Sequence, residues 1–268
     1  MLVIFIQCFD IYFVSKYCKS DVVQEIKSKC DAKIGVIQPS DNNKDSLKKI
    51  FLSDFLICGS ILEKDYYLKY KKKCFIFPLI EIIEKNFQKK TNKTLKLGYH
   101  GNLEHLISFP DQLIIALEKL SKEIKLELIV VYNKKLGDWK KPNIKISEYD
   151  WTFDTMKEQM RNVDIGLVPS LRKNNFLNRK SFLRNIFFKL TNNTKSNMIN
   201  DYSIQFKNNT NAGRAFVFHQ LGIPVVSDFS PENFIINGNP KCGFLANSEE
   251  GWYNAIKQLN NDKFLRES

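Results

Sequence analysis

"KNNTNAGRAFVFHQLGIPVVSD", Lys207 to Asp228, is the stretch on which the fold turns. Pro224 cannot sit inside a helix, so the preceding helix has to stop near Leu221–Gly222, with Gly222 as its C-terminal glycine. That helix covers about 212–221, with Asn209, Thr210 and Asn211 as candidate caps. The apolar "GIPVV" then reads as a buried strand. The polar side is chemically harder to explain: a plain loop does not need Lys207, Asn211, Gly213 and Arg214 at a helix start. In an open α/β sheet, ligands sit at the carboxyl ends of the strands, where a helix N-terminus presents free N–H groups. Lys207 and Arg214 on either side of such a terminus suit a phosphate group. The competing reading is a surface lysine, with a structural arginine paired to a local acid such as Asp228. The sequence leaves both open.

Working outward, short apolar runs at 2–6, 34–38, 54–58 and 74–79 alternate with charged, helix-compatible segments such as "DVVQEIKSKCD" and "ILEKDYYLKYKKK". Strands alternating with helices imply a parallel sheet covered on both faces. Residues 81–94 turn polar and read as a linker. A second series follows: strands in "LKLGYHGN", "LELIVVYN", "NIKISEYD" and "DIGLVPS", and helices in "LEHLISFPDQLIIALEKLSKEI" and "TFDTMKEQMRNV". "CGFLANSEEGWYNAIKQLNND" closes with a short strand and a helix capped at Asn247 or Ser248. The expected organisation is a lobe over 1–80, a linker over 81–94 and a second α/β domain over 95–268, with an insertion at 171–206.

The chain has 268 residues, 43% of them hydrophobic, enough to bury a sizeable core. Its net charge of +12 favours anionic partners. Nucleic acid is the disfavoured one, because no aromatic-basic module is present and the excess charge concentrates in the insertion. Six cysteines without a CxxC pair read as reduced, mostly buried thiols of a cytoplasmic protein, and no metal site is expected. The start, "MLVIFIQCFD", lacks the basic region of a signal peptide and is too short to span a bilayer. It reads as a first strand, "LVIFIQ".

Between strand and helix, "GYHGN" (Gly98–Asn102) lets backbone N–H groups approach an anion, though such a loop is as often only a tight turn. His100 on it is either a solvated loop residue or an acid, base or hydrogen-bond donor facing a cleft.

From Leu95 to Asn261 the order of these pieces resembles the nucleotide-sugar-binding domain of GT-B fold glycosyltransferases. The resemblance rests on "LKLGYHGN", "LELIVVYN", "YDWTFDTMKEQMRNVDIGLVPS", "KNNTNAGRAFVFHQLGIPVVSD" and "CGFLANSEEGWYNAIKQL". It implies an α/β protein of two Rossmann-like lobes, the N-terminal one reduced. Gly101 and Asn102 would border a donor diphosphate that Lys207, Asn211 and Arg214 hold with the first turn at Gly213, and Glu148 and Tyr149 would lie near the base. Many retaining members carry a glutamate pair before the "GxPVV" strand. Counting back from Gly222, those positions are Asn209 and Val217, so both carboxylates are missing.

The insertion lies outside the resemblance. Between Ile165 and Asn200 there are seven Lys or Arg and no acid. Phe176, Leu177, Phe182, Leu183, Ile186, Phe187 and Leu190 fall close to one helical face, with Arg179, Lys180, Arg184 and Lys189 elsewhere. One reading is a basic amphipathic helix on an anionic membrane surface, touching it through Phe182, Arg184 and Phe187. The other is a helix packed across the mouth of the cleft.

The resemblance implies transfer of a sugar from a nucleotide-sugar, as co-substrate with no other cofactor, to a glycan or glycolipid acceptor; the membrane reading of the insertion would suit a lipid-linked acceptor handled at the cytoplasmic face. Lys207 and Arg214 would stabilise the departing diphosphate, and His100 is the candidate base if the reaction inverts configuration. The rival is a degenerate nucleotide-binding subunit that needs a partner chain.

Overall fold

The computed structural model describes residues 9–78, 83, 94–107, 109–169 and 213–267. They fall into two compact units, one holding residues 9–78 and the other the described residues from Ile83 onward.

The first unit is a four-stranded parallel sheet of β1 (Ile11–Ser15), β2 (Lys33–Ile37), β3 (Phe55–Cys58) and β4 (Lys73–Ile76), in that spatial order. Three helices connect them: α1 (Ser20–Lys29), α2 (Lys44–Leu52) and α3 (Ile61–Tyr67). The starts of α2 and α3 are set by side-chain caps. Asn43 Oδ1 accepts from the Ser46 N–H at 2.8 Å, and Ser60 Oγ from that of Glu63 at 3.0 Å. Val14, Ile34, Val36 and Leu56 meet Val23, Ile26, Ile50 and Tyr67 in one core. The strand expected at Leu2–Gln7 lies outside the described residues, and Ile11–Ser15, read as part of no strand, forms β1. Cys30 is disulfide-bonded, so the expectation of six reduced thiols fails there, while Cys18, Cys58, Cys74 and Cys242 are free.

The second unit is built on a six-stranded, wholly parallel sheet. Its strands are β5 (Leu95–His100), β6 (Leu126–Tyr132), β7 (Lys145–Asp150), β8 (Ile165–Val168), β9 (Val225–Ser227) and β10 (Gly243–Leu245). Their order is β10-β9-β8-β5-β6-β7, so the chain winds outward from β5 to one edge, returns to β8 and winds to the other. The reversal between β5 and β8 is a topological switch point, the place where such sheets open a crevice at their carboxyl ends.

Helices cover both faces. A short helix, α8 (Pro231–Asn237), links β9 to β10, and on one side α5 (Asp111–Ser121) and α9 (Glu249–Asn261) bury Leu113, Leu117, Trp252 and Ile256 against Leu97, Leu128 and Leu167. On the other, α6 (Phe153–Met160) and α7 (Gly213–Gln220) bury Met156, Met160, Val217 and Phe218 against Ile129, Val131 and Val225. The single helix expected from Leu103 is two, α4 (Leu103–Ile107) and α5, because Pro110 takes the extended N-cap position of the second. Ser248 caps α9, its Oγ accepting from the Gly251 N–H at 3.1 Å. The end of α7 follows the expected chemistry. Gly222 adopts φ +62°, its N–H bonds the His219 carbonyl and the Ile223 N–H bonds the Phe218 carbonyl, closing a Schellman motif just before Pro224. Within the polar linker, Ile83 is buried and donates its N–H to Gln220 Oε1 at 3.0 Å.

Candidate functional site

The switch point places the end of β5 beside the first turn of α7. Tyr99, His100 and Gly101 come from one segment, Gly213 and Arg214 from the other. The two are joined in several ways. His100 Nε2 lies 3.3 Å from the Arg214 carbonyl oxygen. A carbonyl oxygen only accepts, so the ring proton belongs on Nε2 and leaves Nδ1 as the imidazole's acceptor. The same ring meets Phe218 edge-to-face at 5.3 Å. The Arg214 guanidinium sits over the Tyr99 ring, 5.7 Å from its centroid, and the Tyr99 hydroxyl donates to the Asn102 carbonyl at 3.1 Å.

Gly101 is a backbone requirement. Its φ is +143°, and a Cβ there would stand 3.1 Å from Arg214 Cδ and 3.2 Å from the Tyr99 hydroxyl. The absent side chain is what lets the arginine cross the loop. The outcome is a cation held at a helix N-terminus, at the carboxyl end of a parallel sheet, beside a glycine loop. Each of these features attracts an anion.

Electrostatics follow from burial. His100 is almost fully buried, and desolvation together with the Arg214 charge depresses it to about 4, so it is a neutral imidazole near pH 7. Burial pushes the Tyr99 hydroxyl up to about 12 against the opposing pull of Arg214. A buried imidazole bonded to main chain is better suited to positioning α7 than to the general-base role the sequence reading gave it.

The structure therefore brings His100, Gly101, Asn102, Gly213 and Arg214 together. It does not bring Glu148 and Tyr149 to them, because those lie on edge strand β7, two strands from β5. The Glu148 carboxylate is already engaged. Its Oε1 accepts from the Tyr132 hydroxyl at 2.8 Å and from Trp139 Nε1 at 3.0 Å, and its Oε2 from Lys141 Nζ at 2.9 Å. These donors outweigh burial and hold the carboxyl below its ordinary range. Tyr149 packs on the opposite face with Ile129 and Met156. Lys207, Asn211, Phe182, Arg184 and Phe187 lie outside the described residues. Tyr99 was missed by the sequence reading, although an aromatic between two strand-end residues, next to a glycine loop, was a usable signal. Among the described residues no cluster of His, Cys, Asp and Glu could hold a metal ion, and no helix is long and apolar enough to cross a membrane.

Two Rossmann-like parallel sheets, the larger wound both ways from a switch point between β5 and β8, give this chain the fold of GT-B glycosyltransferases. A glycosyltransferase from Rickettsia africae ESF-5 matches it with a TM-score of 0.61 at 14% identity, over 96% of this chain and 69% of that one. Anabaena Alr3699/HepE in complex with UDP and glucose matches at 0.56 and 10% identity, over 97% and 70%. The glycosylation-associated Gap123 complex from Streptococcus agalactiae matches at 0.52 and 12%, over 96% and 49%. The chain thus spans between 49% and 70% of these structures' lengths. No protein-family model and no curated relative matches the sequence. At such identities the likeness is one of fold.

Proposed function

We propose that this protein binds a nucleotide-sugar at the switch point of its six-stranded sheet and transfers the sugar to a hydroxyl of a surface glycan or glycolipid. The observation that carries this reading is Arg214, laid across Gly101 at the first turn of α7. The HepE structure, which holds UDP and glucose on the same fold, supports the ligand class.

In such a transfer the acceptor oxygen bonds to the anomeric carbon as the bond to the diphosphate oxygen breaks. The electron pair leaves on the diphosphate, and that is where negative charge grows. Arg214 and the N–H groups opening α7 are fixed before the reaction, so they stabilise this charge without reorganising. Lys207 and Asn211 belong to the same proposal, as diphosphate contacts that would replace a metal ion. Glu148 would shape the nucleoside end by holding the β6–β7 connection, with Tyr149 beside the base. The acceptor hydroxyl loses its proton, and if configuration inverts a base must take it. His100→Ala separates the two roles: lost transfer with donor affinity intact identifies His100 as that base, whereas parallel loss of both identifies it as a positioning residue. We place the activity in the cytoplasm at the inner face of the membrane, with Phe182, Arg184 and Phe187 as contacts.

Calorimetry with UDP, GDP, CMP, ADP and dTDP and their sugar conjugates tests the reading. Selective binding of one nucleotide, weakened by Arg214→Ala, supports it, and a flat response across the panel overturns it.

One observation favours a second reading, a nucleotide-binding subunit working with a partner chain. Val217, which stands where retaining members carry a glutamate, is 1% exposed and part of the apolar core. The Gap123 structure is itself of a complex. Binding without transfer alone, and transfer once a partner is added, would establish it.

A further inference from the structure

Among the described residues, the sheet of the first unit is covered on one face. Its strands are adjacent in chain order and parallel, so each crossover steps the same way. Right-handed crossovers then lay α1, α2 and α3 on a single side. Parallel sheets are ordinarily covered on both sides. Val14, Ile34, Val36 and Leu56 are buried beneath the helices, while the alternate positions point the other way. There Phe13 is 58% exposed, Phe75 54%, Phe77 64% and Ile11 49%.

These residues form a continuous surface. The register sets Phe13 beside Gly35 and Gly35 beside Phe55. A Cβ at Gly35 would stand 2.3 Å from the Phe55 ring, so that ring lies over the glycine. It meets Phe13 at 6.0 Å on one side and Phe75 at 5.7 Å on the other, both edge-to-face. The aromatic ridge crosses all four strands. By strand alternation the face carries two charges, Lys33 and Lys73, each at the amino end of its strand, and no acid.

We propose that this ridge is the contact face of a homodimer in which a second copy packs its sheet on the first. The six exposed side chains of this face, Ile11, Phe13, Lys33, Lys73, Phe75 and Phe77, at about 200 Å² each and half exposed, offer roughly 600 Å² per copy and ~1,200 Å² for the pair, at the lower bound for a specific interface. A two-fold axis makes the patch meet itself. With the strands of the two copies running in opposite senses, Lys33 and Lys73 of each copy lie toward the Phe77 end of the other, which keeps like charges apart. Sheets packed face to face tolerate this alignment at a separation of about 10 Å. The proposal is independent of the sugar-transfer reading.

Sedimentation velocity of the full chain tests it. The 31.3 kDa species should convert to one of twice that mass as concentration rises through the micromolar range. Phe13→Glu with Phe75→Glu should weaken association by about a hundredfold. Because both side chains are exposed in a single copy, the unfolding midpoint of dilute protein should hold. Should that pair fail to fold, Phe13→Ser with Phe75→Ser serves instead. A monomer at every concentration, a dimer indifferent to these substitutions, or a monomer that instead floats with phosphatidylglycerol vesicles through the same phenylalanines would overturn the proposal.

Discussion

Arg214 passes close over Gly101, with its Cδ 3.1 Å from where a Cβ at 101 would stand. Loop and arginine therefore depend on each other. Gly101→Ala combines an unfavourable φ with a close contact, and it should cost about 1–3 kcal/mol, read as a lower unfolding midpoint in denaturant. Gly222→Ala is the control. Its φ of +62° lies in the left-handed region that alanine reaches at a modest cost, and nothing lies within 4 Å of the added carbon, so it should cost only about 1–2 kcal/mol and leave nucleotide binding unchanged.

Removal of the guanidinium should act on ligand more than on fold. Arg214→Ala should weaken nucleoside-diphosphate binding by about ten- to a hundredfold, since hydrogen bonds to charged groups are worth about 1.5–3 kcal/mol each. Calorimetry on wild type and variant checks this, and equal affinities would remove Arg214 from the site. Arg214→Lys should recover charge but not the planar contact with Tyr99, and so restore only part of the affinity.

Stability should fall in mild acid. His100 titrates near 4 in the folded protein against an ordinary value of 6.5. Between those values the unfolded chain binds the extra proton, so stability is complete above about pH 6.5 and is lost as pH falls toward 4. The full effect is on the order of 3 kcal/mol. His219, also depressed by burial, contributes in the same direction. Denaturation of His100→Gln across this range should show a shallower slope than wild type, and an unchanged slope would refute the assignment.

Glu148 should prove structural in stability measurements. Glu148→Ala strands the Tyr132 hydroxyl and the Trp139 N–H, at a cost of about 2 kcal/mol. Glu148→Gln keeps an oxygen for both and loses only the Lys141 ion pair, so its unfolding midpoint should lie close to wild type.

The legible parts of the sequence were those where chemistry forbids alternatives. Pro224 and Gly222 each permit few backbone conformations, so the end of α7 and the start of β9 could be read directly. The strand-helix alternation likewise marked the parallel sheets. The hydrogen-bond network around Glu148 was not legible because its three donors come from β6, β7's approach and the turn between, and no local pattern joins Tyr132, Trp139 and Lys141. The burial of His100 was hidden for another reason. β5 lies at the centre of its sheet, so both faces are covered and strand alternation carries no information about which side chain meets solvent. The face of the first sheet left uncovered among the described residues was also invisible, since it follows from strand order and not from composition.

That central position of β5 also orders the events of synthesis. Its partner β6 emerges soon after it, but its other partner, β8, begins only at Ile165. Until then one edge of a strand rich in buried residues has no neighbour, and non-local parallel pairing is slow. A nascent chain stalled near residue 160 would carry that open edge, so the interval before β8 arrives is where this molecule is most exposed to aggregation and to capture by chaperones.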